Sequence, residues 1–232
     1  MNKKVLILVA AISFAAVVNA QEQKALLIMK NGTVTHSVAV ADIDSIVFVP
    51  AALVTDAGVT INGVKWATRN VAAPGTFADS QTDAGMFYQW NSKIGWSATD
   101  PMTSTNGSTW NNAWNGNGDT TWKATNNVCP QGWRVPTKAE FDTLVSLSTK
   151  MWTTIPAPGY IFTSGGNSLF LPAAGFRYGN DGTINYVGTR GYYWSSTEYS
   201  SSRSYGLLFV SGSAYLYDVT KTYGFSVRCV AE

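Results

Sequence analysis

CPQGWRVPTKAEFDTLVSLS, residues 129–148, is the stretch from which the rest of the chain is read. Thr137 and Glu140 form a capping box: the threonine hydroxyl accepts from the Glu140 amide, and the glutamate reaches back to the amide of Thr137. Pro136 precedes the cap. Phe141, Leu144, Val145 and Ser148 follow at helical spacing and give one buried face. This is the one well-signalled helix of the sequence.

Downstream the apolar period shortens. Gly159-Tyr160-Ile161-Phe162 and Ser168-Leu169-Phe170-Leu171 read as short strands, and Asn180-Asp181-Gly182 as a turn between Phe176-Arg177-Tyr178 and Ile184-Asn185-Tyr186-Val187. Tyr192-Tyr193-Trp194 begins a strand. Tyr205 to Val210 is apolar on both faces and is expected to be central in its sheet. Ser211-Gly212-Ser213 turns the chain and Ala214 to Tyr217 returns it. Phe225, Val227 and Cys229 alternate with Ser226, Arg228 and Val230 in a last strand.

Upstream, Ile61 to Ala67 reads as a strand and turn, 72–84 as loop, and Met86-Phe87-Tyr88-Gln89-Trp90 as core. From Ser97 to Asn127 the chain is rich in Asn, Gly, Thr and Trp and has no apolar period. Trp110, Trp114 and Trp122 punctuate it. They either plug the loop to the core or, since loops this long are often functional, offer a surface of their own.

Residues 1–20, MNKKVLILVAAISFAAVVNA, carry a basic start (Lys3, Lys4), an apolar run and a Val18-Asn19-Ala20 cut site, the pattern of a secretory signal peptide. The run falls short of the ~20 residues that span a bilayer. No cysteine stands at the cut, which argues against a lipid anchor, and no second long apolar run follows. The expected location is therefore periplasm, cell surface or exterior, with no transmembrane segment. Residues 21–58 form a small β-hairpin module and linker: Ala25 to Met29, an Asn31-Gly32 turn, Thr33 to Val40, then Asp42 to Phe48, ended by Pro50. A module this small needs something to pair with, so a partner strand is expected. His36, in its second strand, reads as an ordinary strand residue.

The formal net charge is +2, and without Lys3 and Lys4 there are 14 basic against 14 acidic residues. No basic field remains to hold nucleic acid. Charged residues make up 13%, against roughly a quarter in an average domain. With 9 tryptophans, that low charge argues against disorder. One histidine and two cysteines exclude multi-histidine metal sites and zinc knuckles, and leave little for a Ser-His-Asp triad. No metal and no cofactor is called for. In an oxidising compartment the two cysteines, Cys129 and Cys229, most simply pair.

Six segments in order carry a resemblance: Trp66-Ala67-Thr68-Arg69-Asn70-Val71, Gly85-Met86-Phe87-Tyr88-Gln89-Trp90, Cys129 to Thr137, Leu171-Pro172-Ala173-Ala174-Gly175-Phe176-Arg177, Tyr193-Trp194-Ser195-Ser196-Thr197, and Phe225 to Val230. Together they resemble the Fibrobacter succinogenes major paralogous domain, abundant in exported proteins of Bacteroidetes-type bacteria. The resemblance implies an α+β, C-type-lectin-like domain over 59–232, with a twisted antiparallel sheet, one or two helices and long irregular loops. The Trp133-to-Thr137 entrance with Glu140 is also similar to the corresponding helix of formylglycine-generating enzymes. Their activity uses a cysteine pair, which here is assigned to a structural bridge. The calcium motifs of C-type lectins, Glu-Pro-Asn and Trp-Asn-Asp, are missing. Trp110-Asn111-Asn112 is the nearest text and has no carboxylate.

The carboxylates are scattered without acid–base spacing, so no catalytic residue is assigned. Binding has more to work with. Tyr199, Ser200, Ser201, Arg203 and Tyr205, with Tyr215 and Tyr217 from the returning strand, are paratope-like: rigid amphipathic tyrosines, adaptable serines and an arginine anchor. They are the expected ligand-binding residues, with 199–204 as an exposed loop. The ordinary alternative is a polar loop beside a sheet whose tyrosines serve β propensity. The expected function is an exported or surface-displayed module that binds a protein or glycan ligand without catalysis. The alternative is a structural component of a cell-surface assembly such as a fimbrial or envelope protein.

Overall fold

A computed structural model describes residues 25–30, 33–39, 56–113 and 119–232. The chain divides into two compact units, Met1–Val49 and Pro50–Glu232. In the first, β1 (Ala25–Lys30) and β2 (Thr33–Ala39) pair antiparallel with Ala25 opposite Ala39 and one register shift at Ile28/Met29. The expected leader at 1–20, the expected Asn31-Gly32 turn and Asp42 to Phe48 lie outside the described residues.

In the second unit, β3 (Val59–Ile61) turns through Asn62-Gly63 into β4 (Val64–Trp66). β5 (Met86–Tyr88) pairs with β6 (Gly95–Ser97). β7 (Trp133–Arg134) leads into α1 (Lys138–Leu147). Then β8 (Thr149–Thr153), β9 (Gly159–Ser164) and β10 (Asn167–Pro172) form an antiparallel meander. β11 (Phe176–Arg177) pairs with β12 (Ile184–Asn185). A second meander follows from β13 (Arg190–Ser200), β14 (Arg203–Val210) and β15 (Ser213–Thr220), with β14 central as its two apolar faces require. β16 (Val230–Ala231) returns between β4 and β7, so both ends of this unit lie in one sheet.

The capping box forms as read. Thr137 Oγ1 accepts from the Glu140 amide at 3.3 Å and the Glu140 carboxylate accepts from the Thr137 amide at 2.7 Å. Arg134 donates to both carboxylate oxygens, at 2.6 and 2.9 Å. Burial alone would raise the Glu140 pKa, but these bonds outweigh it and hold the carboxyl below its ordinary value. Phe141 and Leu144 are buried, a contribution of about 1.5–3 kcal/mol each.

Two apolar clusters fill the unit. One gathers Trp66, Phe141, Leu144, Tyr193, Leu207 and Phe209 around α1. The other gathers Trp90, Phe176, Tyr192, Trp194 and Phe225 with the Cys129–Cys229 cystine. The pleat of β13 sends Tyr193 into the first cluster and Tyr192 and Trp194 into the second. The cystine joins Cα atoms 6.0 Å apart across 100 residues and ties the approach to α1 to the segment before β16.

The tryptophans of the 97–127 stretch fasten it down. Trp110 Nε1 donates to the Gly179 carbonyl at 3.0 Å; the Trp122 amide donates to the Ser196 carbonyl at 3.0 Å, and its ring meets that of Trp90 at a 6.0 Å centroid distance. Buried Arg177 donates to the carbonyls of Ser97, Thr99 and Gly182. Trp114 lies outside the described residues.

The expected α+β, C-type-lectin-like arrangement is corrected by this architecture. Among the described residues there is a single α-helix of 10 residues, set among several small antiparallel sheets instead of one twisted sheet. Physically, only 138–147 carries a helical apolar period. Elsewhere the strand-favouring Thr, Tyr, Trp and Val residues alternate between close turns and pair with their sequence neighbours. β6 and β8 carried no clear strand signal. Among the described residues, no helix is long and apolar enough to cross a membrane.

Candidate functional site

The register of the β13–β15 sheet fixes which side chains share a face. Tyr215 lies opposite Leu208, which lies opposite Tyr192; Tyr217 lies opposite Gly206, which lies opposite Trp194. Gly206 lies under the Phe225 ring, within ordinary contact of where a Cβ would stand (3.5 Å), and that ring stacks on Trp194 at a 4.3 Å centroid distance. Phe225 therefore covers the sheet over Trp194, and beyond it the same face opens.

The opening is a concavity of about 380 Å³. Tyr192, Leu208 and Val219 belong to the sheet face that lines it. Phe176 stands at a junction of rings, with centroids 4.7 to 6.0 Å from those of Tyr186, Tyr192, Tyr223 and Phe225. Tyr186, Tyr215 and Tyr217 leave 44–48% of their surface to solvent. Arg190, at the start of β13, also lines the space, and its guanidinium carbon stands 3.9 Å from the Tyr186 ring centroid. The Tyr192 hydroxyl beside it raises the Arg190 pKa, while burial raises that of Tyr192.

Tyr186 holds φ at +60°, a conformation that bulky residues rarely adopt. Its carbonyl accepts from the amides of Thr189 and Arg190, both at 3.1 Å, which fixes the bend. Gly175 lets the segment pass: a Cβ there would lie 2.2 Å from the Asn185 carbonyl oxygen. The surrounding bonds hold Tyr186 in this conformation, which costs on the order of 1–3 kcal/mol.

The seven residues expected to bind are divided by the sheet. Tyr215 and Tyr217 line the concavity. Tyr205 pairs with Asp218 and so points from the other face. Its ring meets Tyr199 edge-on at 5.3 Å, and Lys138 Nζ of α1 lies 5.2 Å above it. Arg203 Nε donates to Asp218 Oδ2 at 2.6 Å and Nη2 to the Asp218 carbonyl at 2.7 Å. Ser200 ends β13, and exposed Ser201 lies in the turn, its carbonyl accepting from Lys221 Nζ at 3.2 Å. The expected loop at 199–204 is thus a tight turn between two long strands.

Phe176, Tyr186, Arg190, Tyr192, Tyr223 and Phe225 were missed as site residues. Each sits inside a strand or turn pattern that explains it locally. The one available signal was the crowding of aromatics into the C-terminal third.

A second concavity, of about 480 Å³, is lined by Trp90, Asn91, Asp119 and Lys123 among others. Its polar groups bond one another: Asn91 Nδ2 donates to Asp119, Asn91 Oδ1 accepts from the Lys123 amide, and Lys123 pairs with Asp119 at 2.6 Å. Its lining includes Ala113 and Asp119; residues 114–118 lie outside the described residues. Among the described residues, no group of three or more His, Cys, Asp or Glu side chains is placed to hold a metal ion.

A family described as a domain of unknown function (DUF8237) matches residues 164–230, a span that contains every residue lining the aromatic concavity. No curated protein and no solved structure matches the chain.

Proposed function

We propose that the chain is an exported, surface-displayed binding module without catalysis, and that a glycan seated in the β13–β15 concavity is its ligand. The observation that carries this reading is the half-exposure of Tyr186, Tyr215 and Tyr217 around a space of about 380 Å³. Small-ligand pockets occupy roughly 300–1,000 Å³ and are lined by aromatic side chains with a few polar groups. Tyrosine rings offer flat apolar area to the C–H face of a sugar, and their hydroxyls bond its oxygens. The leader at 1–20 and the cystine support export.

Glycan-array binding by the folded chain tests it. Retention of defined saccharides that is lost in Tyr215→Ala and Tyr217→Ala is expected, with the saccharide recovered chemically unchanged. A folded chain that binds nothing on the array overturns it.

The second reading, a component of a surface assembly, is favoured by β1–β2. A sheet of two strands is marginal by itself and is stabilised by a further strand. Co-purification with a surface fibre, lost on deleting residues 25–39, would support that reading.

A further inference from the structure

We infer that the saccharide held in this concavity is acidic, and that its carboxylate is received by Arg190 while its ring lies against Tyr215 and Tyr217. The inference rests on the glycan reading and adds the charge of the ligand to it.

The argument begins with the other arginines. Among the described residues, Arg69, Arg134, Arg177 and Arg203 each pair with a carboxylate: Asp56, Glu140, Asp100 and Asp218 respectively. Arg228 is wholly buried and donates to Asn70 Oδ1 and the Ala67 carbonyl. Arg190 differs from all five. No carboxylate of a described residue lies within ion-pair distance of it, and it lines an open space. Its neighbours are tyrosines.

The way it is held matters as much. A guanidinium lying over an aromatic ring is oriented through its face; the N–H edge of Arg190 meets the Tyr192 hydroxyl, and its remaining donors suit the paired, in-plane bonds of a carboxylate. The Tyr186 ring at 3.9 Å supplies that support, and the φ of +60° at Tyr186 fixes the ring's backbone. The rest of the lining is Phe, Leu, Val and Tyr, with no Asp or Glu to repel an anion. A neutral sugar would use the tyrosines and leave the one charge of the lining idle. A carboxylate-bearing sugar uses both.

Trigalacturonate and its methyl ester separate the two claims, because they present the same rings with and without charge. Titration of the full folded chain by calorimetry is expected to show the acid binding at least tenfold more tightly than the ester. That preference should shrink as salt is raised and vanish in Arg190→Gln. Tyr217→Ala should weaken acid and ester alike, and Tyr199→Ala, outside the concavity, should bind as the parent does. Sialyllactose against lactose repeats the comparison with another carboxylated sugar, and a sulfated trisaccharide tests whether any anion suffices.

Equal affinity for acid and ester, with both weakened by Tyr217→Ala, would overturn the carboxylate inference and leave the glycan reading standing. Tighter binding of the sulfated sugar than of either acid would overturn the assignment of a carboxylate. Binding of a glutamate-rich peptide in place of all saccharides, or no binding at all, would overturn both.

Discussion

Tyr193, Leu207, Phe209 and Leu216 project from one face of the β13–β15 sheet; Tyr192, Leu208, Tyr215 and Tyr217 project from the other. The two sets are chemically alike. On the first face Tyr193, Leu207 and Phe209 are fully buried, in the cluster that α1 and β9 complete. On the second, Tyr192 and Leu208 are buried while Tyr215 and Tyr217 stay about half exposed. Strand composition does not decide this difference. What decides it is the cover: α1 crosses one face, whereas Phe176, Tyr223 and Phe225 cover only part of the other. The partly uncovered aromatic face is what the proposed binding reading draws on.

The comparison breaks first at its closed side. Phe209 meets Tyr160, Trp152 and Tyr193 at centroid distances of 5.3, 6.4 and 5.9 Å. Phe209→Ala should cost about 3–5 kcal/mol of unfolding free energy, measured by denaturant titration, because the ring leaves a cavity that rigid neighbours cannot fill. A loss below about 1 kcal/mol would mean that the closed face is loosely packed and that the contrast is false.

The cystine is the next largest effect, and it belongs to the cluster that underlies the open face. Closing 100 residues, it should contribute about 2–4 kcal/mol, lost on reduction or in the paired Cys129→Ser, Cys229→Ser variant. Thiol labelling of the denatured, unreduced protein should find no reactive cysteine. Two reactive thiols would overturn the pairing.

The cover of the closed face was legible in the sequence and the gap in the open one was not. Thr137, Glu140, Phe141 and Leu144 announce α1 because capping and helical period are local, within a dozen residues. The aromatic concavity is assembled from Phe176, Tyr186, Arg190, Tyr215 and Tyr223, residues whose meeting depends on strand register and on a bend at Tyr186. Register across β13–β15 leaves no short-range mark, so Tyr205 and Tyr217 read as one patch although the pleat sends them to opposite faces. Lys221, wholly buried, bonded to Glu198 at 2.5 Å and lying over the Trp90 ring, is held by partners far from it in sequence, and no local pattern marks it. The α+β, C-type-lectin-like class came from the family resemblance, whereas the periodicity of this chain supports one helix and many short strands.

A smaller effect tests the anchoring of α1, hence of the closed face. The Glu140 carboxyl is depressed in the fold, because the bonds from Arg134 and Thr137 outweigh the burial that raises it. Its stabilisation is therefore complete above the unfolded value, ordinarily about 4.3, and is lost as pH falls through the lower folded value. Glu140→Gln should cost about 1 kcal/mol near neutral pH, the scale of a lost cap. It should also flatten the fall of stability between pH 5 and 2. An unchanged acid slope in the variant would place the acid-sensitive group elsewhere, with Asp56, also depressed, the next to examine.

The smallest expected change in stability is the sharpest test of the comparison. Tyr199 and Tyr217 are the same residue type with nearly equal exposure, 54% and 47%. Tyr199 packs edge-on against Tyr205, beside α1, while Tyr217 lines the concavity. Truncating either to alanine removes a half-solvated ring, so each should shift unfolding free energy by no more than about 0.5 kcal/mol. Their effects on binding should part. Tyr217→Ala should weaken saccharide affinity by about 1–2 kcal/mol, and Tyr199→Ala should leave it within error. Calorimetric titration of both variants beside denaturant melts reads the two quantities together. Equal losses of affinity would mean that the ligand spans both sides of the sheet. A loss confined to Tyr199→Ala would move the site to the α1 side, where Lys138 and Tyr205 already meet. Only a loss confined to Tyr217→Ala assigns the open face as the binding face, because exposure, residue type and stability cost are matched and the side of the sheet is what remains.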